Sequence, residues 1–125
     1  MQRRILKQIK ALQLGDLIFV EWSDASKGQS LGGPMEIDVP VKTWGIFLAV
    51  LGQRNKHLVL AQSAFRFTDG FYDIDYAIIP ITWTMAVRIV NSAEVIKEEA
   101  QALLTSFLAG RRRTFKRRAE NHHGS

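Results

Sequence analysis

The chain has 125 residues, 46% hydrophobic and 23% charged, with a net charge of +5 and no cysteine. That describes one globular domain large enough for a core, and excludes a disordered chain, a disulfide framework, a thiolate zinc site and a cysteine nucleophile. No apolar run approaches the roughly 20 residues needed to span a bilayer, so the chain reads as a soluble, cytoplasmic protein with no membrane partner.

Residues 2–14 have helical spacing, with Ile5, Leu6, Ile9 and Leu12 as the apolar stripe and Gly15 as the stop. Arg3, Arg4, Lys7 and Lys10 face away from that stripe, either as a solvated surface or as a phosphate-contacting one. Leu17–Trp22 is rich in β-formers and predicts the first strand. Residues 23–41 hold Gly28, Gly32, Gly33 and Pro34 and predict a long flexible loop, a length that is usually functional or disordered. Its glycines lack the spacing of a phosphate-binding loop and no strong helix follows.

Thr43–Leu51 is nearly all apolar, as a strand buried on both faces would be, and Gly45 within it predicts a bend or bulge. Residues 52–56 predict a turn, and His57–Gln62 the returning strand of a hairpin. After Asp69-Gly70, Tyr72, Ile74, Tyr76 and Ile78 alternate with Asp73 and Asp75, which predicts a half-buried strand. Beyond Pro80 a last strand places Trp83, Met85, Val87 and Ile89 on one face and Thr82, Thr84 and Arg88 on the other. Asn91 with Glu94 fits a capping box, and Val90 with Val95 a hydrophobic staple, for a helix over 92–109. Ile96, Ala100, Leu103, Leu104, Phe107 and Leu108 form its apolar face and Gly110 ends it. The domain is thus residues 1–110, and 111–125 form a basic, disordered tail.

About five short bent strands between two helices predict a mainly β, α+β fold, a small SH3-like barrel. Gly45-Ile46-Phe47-Leu48-Ala49-Val50, through Asn55 to Leu58-Val59-Leu60, resembles the first motif of Sm-like proteins. There a glycine-led strand bends and returns through an asparagine-containing turn. The leading helix and the return strand near Ile78 to Val90 are similar too. The resemblance implies RNA contact and ring assembly. Ile79-Pro80-Ile81 stands where the family carries a glycine-bearing second motif, so only Asn55 is carried over as a candidate contact.

The strongest functional pattern is charge at the two ends. Arg111, Arg112, Arg113, Lys116, Arg117 and Arg118 follow the last helix, and the body between the two basic ends is mildly acidic. Such segregation points to a polyanion, most often nucleic acid, bound largely through its phosphates. Arg54, Lys56 and Arg66 join these cations as candidate contacts. Phe65, Phe67 and Phe71 offer rings for base stacking, whereas Trp44 and Trp83 are expected in the core. Asp69, Asp73 and Asp75, with Glu36 and Asp38, are the one acidic cluster near a turn, and alternation explains Asp73 and Asp75 as solvent-facing. His57 has no motif-placed partner, and His122 and His123 lie in the tail. No catalytic motif is present and no cofactor is implied. The expected function is non-enzymatic nucleic-acid binding, with a protein-interaction or homo-oligomeric assembly module, through the last helix or the barrel edges, as the alternative.

Overall fold

The computed structural model describes the backbone of residues 2–23, 40–66, 68 and 71–124, and their side chains apart from residues 2, 65 and 111–124. Helix α1 (Gln2–Lys10) precedes strands β1 (Leu17–Ser23), β2 (Pro40–Leu51), β3 (His57–Arg66) and β4 (Tyr72–Pro80). A single 3-10 turn (Ile81–Trp83), β5 (Thr84–Asn91) and helix α2 (Lys97–Gly124) complete it. The strands form one antiparallel sheet in the order β4-β3-β2-β1-β5. The mainly β, α+β class is therefore as expected. The sheet is open, not a closed barrel: no ladder joins β4 to β5 among the described residues. Most of the 23–41 loop lies outside the described residues.

The open sheet is nonetheless strongly rolled. Its edges are β4 and β5, which a flat sheet would hold about 19 Å apart, four strand spacings. The 3-10 turn that links them has three residues and spans only about 6 Å. Thr84 Oγ1 also donates to the Pro80 carbonyl at 3.1 Å. The two edges consequently meet at one corner. β2 pairs with β1 up to Ile46 and with β3 from Ile46 onward, with a register shift between Phe47 and Ala49. A Cβ on Gly45 would stand 2.9 Å from Leu60 Cβ and 3.0 Å from the Ala61 carbonyl oxygen, so only glycine permits the approach.

Two cores flank the sheet, because Leu58-Val59-Leu60-Ala61 alternates between its faces. Leu58 and Leu60 lie with Ile18, Val20, Phe47, Ile79 and Val87, beneath Ile5, Ile9 and Leu12. Ile81 of the linking turn packs against this cluster, so it is the face that the roll encloses. A nine-residue helix is not stable alone, and α1 persists through those apolar side chains, each worth roughly 1.5–3 kcal/mol when buried. Val59 and Ala61 lie on the outer face with Leu48, under Leu103 and Phe107 of α2. Tyr72 donates its backbone N–H to Ser106 Oγ at 3.0 Å, which ties the start of β4 to that helix.

Several elements differ from the expectation. Helix α1 stops at Lys10, and Leu6 is exposed. Gly15, at φ +100°, is no helix cap but a junction, donating to the Phe47 carbonyl and accepting from Val95 N–H. Any Cβ there would collide with the Val95 carbonyl oxygen. On β5 the expected faces are exchanged at the start: Thr84 is 1% exposed and Met85 51%. The register slips there, Trp22 pairing with Thr84 and Glu21 with Ala86, so Met85 is an extra residue that resets the alternation. On β4 the alternation holds: Tyr72, Ile74 and Tyr76 share the face toward α2, Ile78 at its end is exposed, and Ile79 on the opposite face is buried in the enclosed core.

The capping box also fails. Asn91 is the last residue of β5, paired with Leu17, and its side-chain amide donates to the Glu94 carboxylate. Ala93 takes φ +52°, which breaks any helix, and α2 begins only at Lys97. Val90 and Ile96 are exposed, so neither the staple nor that end of the apolar face forms. Leu108 is exposed as well, while Ala100, Leu103 and Phe107 are buried as expected. At the other end α2 runs through Gly110 to Gly124. A helical glycine costs only about 1 kcal/mol relative to alanine, and the arginines and lysines after it are good helix formers.

Candidate nucleic-acid interface

Helix α1 separates its two kinds of residue. Ile5, Ile9 and Leu12 are buried, and Arg3, Arg4, Lys7 and Lys10 are all exposed on the opposite side. None of these cations forms an ion pair among the described residues. Lys7 and Lys10 fall in the last turn, where the helix dipole favours positive charge. Gln8, on the flank, keeps a buried Oε1 with no hydrogen-bond partner among the described residues.

The remaining candidate cations are dispersed. Arg54 and Lys56 are exposed in the β2–β3 turn, beside exposed Asn55, and the Lys56 carbonyl accepts from Ile81 N–H. Arg66 is exposed at the far end of β3, about 30 Å along the strand from Lys56. Arg111, Arg112, Arg113, Lys116, Arg117 and Arg118 fall on the α2 backbone, and their side chains lie outside the described residues. Of the expected stacking rings, Phe67 and the Phe65 side chain lie outside them too, and Phe71 is half-buried.

The structure presents a different aromatic site. Trp44, expected in the core, is 51% exposed, and Trp83 is 38% exposed and stacked on Trp22 at 6.0 Å. Trp22 Nε1 donates to Thr43 Oγ1 at 3.0 Å, which fixes that indole toward the enclosed face. Trp44 therefore projects from the outer face. Phe19 of β1 lies directly opposite it, and Arg88 of β5 lies directly opposite Phe19. The Phe19 and Trp44 rings are 5.1 Å apart, tilted by 52°, and the Arg88 guanidinium sits 5.1 Å over the Phe19 ring. Lys42, two residues along β2 on the same face and exposed, stands opposite Glu21. The sequence signal for this row was present but divided among three strands: Phe19, Trp44 and Arg88 become neighbours only through the register.

Asp73 and Asp75 are exposed on β4, as alternation predicts, beside Ser63, Ala64 and Ile74 at an open groove of about 410 Å³. Among the described residues no group of His, Asp and Glu is arranged to hold a metal ion. Glu36, Asp38, Asp69 and the glycine-rich run of the loop lie outside those residues. His57 is half-buried at the start of β3. Among the described residues no helix is long and apolar enough to cross a membrane. Comparison with protein-family models, with curated proteins and with solved structures finds no match for this chain.

Proposed function

We propose that this chain is a small-barrel module of SH3-like type that binds nucleic acid without catalysis, largely through phosphate contacts from its basic ends. The observation that carries the reading is the outward face of α1, whose exposed cations have no acidic partner among the described residues. Cations held on a packed helix meet a phosphate backbone at lower entropic cost than cations on a free arm. The rolled sheet, the close approach of β3 at Gly45 and the 3-10 link between the edge strands support the barrel assignment. The absence of cysteine suits action in the reducing cytoplasm.

The test is fluorescence anisotropy with a labelled 20-nucleotide oligonucleotide across a salt series. Log affinity is expected to fall linearly with log salt, by about 0.7 to 0.9 for each phosphate neutralised. Removing residues 111–125 lowers that slope by up to about 5, with most of the affinity lost. Salt-insensitive binding, or full affinity without those residues, would overturn the reading.

A self-assembly module is the second reading. It is favoured by Met85, Ile89 and Val90, exposed along β5, a free edge of the sheet. Light scattering separates the two: a strict monomer at high protein concentration ends it.

A further inference from the structure

Arg88, Phe19 and Trp44 occupy one cross-strand row on three adjacent strands, on a face that α2 leaves uncovered there. The apolar members near α2 are accounted for by its packing, as Ile46 is. Trp44 is not. Half of its surface remains exposed beside Phe19, an aromatic surface rimmed by charged residues. Its surroundings identify the occupant by chemistry. Phe19 packs against the indole from one side. Arg88 and Lys42 flank the row, exposed and without an ion pair among the described residues, against the single carboxylate of Glu21. A flat apolar partner that carries negative charge within one side-chain length satisfies all of these at once. A nucleobase with its phosphate is such a partner.

We propose that the outer sheet face at Trp44 is a stacking site for unpaired bases, so that the protein favours single-stranded over duplex nucleic acid. Trp44 would take a base on its exposed face, with Arg88 and Lys42 at the adjoining phosphates. In a duplex the bases are already stacked on one another and cannot reach a ring on a sheet. Stacking tolerates any base, so the preference is for strandedness and not for sequence. This deepens the nucleic-acid reading above and rests on it. The basic ends supply affinity for any phosphate chain, and the row adds discrimination.

The experiment uses the full chain with a 15-nucleotide oligothymidylate and a mixed-sequence duplex of the same length, at one salt concentration. Trp44→Ala is expected to weaken single-strand binding about 5- to 150-fold and to leave duplex binding unchanged. Trp44→Phe should recover most of the loss, because it restores a ring, and Arg88→Ala should reproduce part of it. The circular dichroism of Trp44→Ala should match the parent, with a modestly lower thermal midpoint from the lost Phe19 contact. Three results overturn the proposal. Equal losses for both ligands mean that Trp44 acts through the fold. No loss for either means that only the basic ends bind, and the stacking site falls while the phosphate reading stands. A parent protein that binds neither ligand removes the phosphate reading and the stacking site together.

Discussion

Asp16 is the residue on which the two halves of the chain depend. It is 3% exposed, and its carboxylate accepts from Gln13 N–H and from Ala93 N–H, both at 2.9 Å. Ala93 sits in the left-handed region that costs an alanine roughly 1 kcal/mol, and the Asp16 bond offsets that cost. Gly15, next door, allows the Val95 carbonyl to come against its Cα. One short segment therefore fixes the exit of α1, the start of β1 and the approach to α2. Asp16→Ala is expected to lower stability by about 2 to 3 kcal/mol, a fall in Tm of roughly 10 °C, measured by urea and thermal denaturation. Asp16→Asn should recover only part, because an amide offers one acceptor oxygen for two donors. Stability equal to the parent in Asp16→Ala would show that water takes over both bonds.

At the level of elements, the closest test is α2 on the outer sheet face. Phe107 is buried and meets Tyr76 edge to face at 4.9 Å. Phe107→Ala should cost about 3 kcal/mol, whereas Leu108→Ala, one residue on but exposed, should cost under about 0.5 kcal/mol. Similar losses from both would mean that α2 packs through another face. The same elements show what a sequence discloses. The existence and order of the five strands were legible, because Leu17–Trp22, Thr43–Leu51 and His57–Gln62 are dense in β-formers. Gly45 was legible as a special position, which the structure uses for the close approach of β3, while the irregularity of β2 falls between Phe47 and Ala49. Their faces were legible only up to an irregularity: the slip at Met85 reverses the alternation of β5 that the sequence alone carries straight through, whereas that of β4 runs unbroken. Asn91-x-x-Glu94 has the composition of a cap, but pairing of Asn91 with Leu17 kept it in a strand. The basic face of α1 followed from helical spacing. The row at Trp44 did not, because exposure there depends on where α2 stops covering the sheet, a tertiary fact.

Across the whole molecule, the charge on α1 is separable from the fold. Arg3, Arg4, Lys7 and Lys10 are exposed and unpaired among the described residues, and glutamine is as good a helix former. Replacing all four by Gln should leave the urea midpoint unchanged and reduce the log affinity against log salt slope by up to about 3. An unchanged slope would assign phosphate contact elsewhere.

The clamp from Asp16 to Ala93 spans 77 positions. During synthesis β1 emerges before its second neighbour, β5, which is the last of the five described strands. Until then β1 is an exposed edge, able to pair only with β2, and the face that the roll will enclose stays open on that side. Closure must wait for a long loop to be brought together, a slow and non-local step. Until β5 joins it, β1 presents an unpaired edge that another chain could occupy.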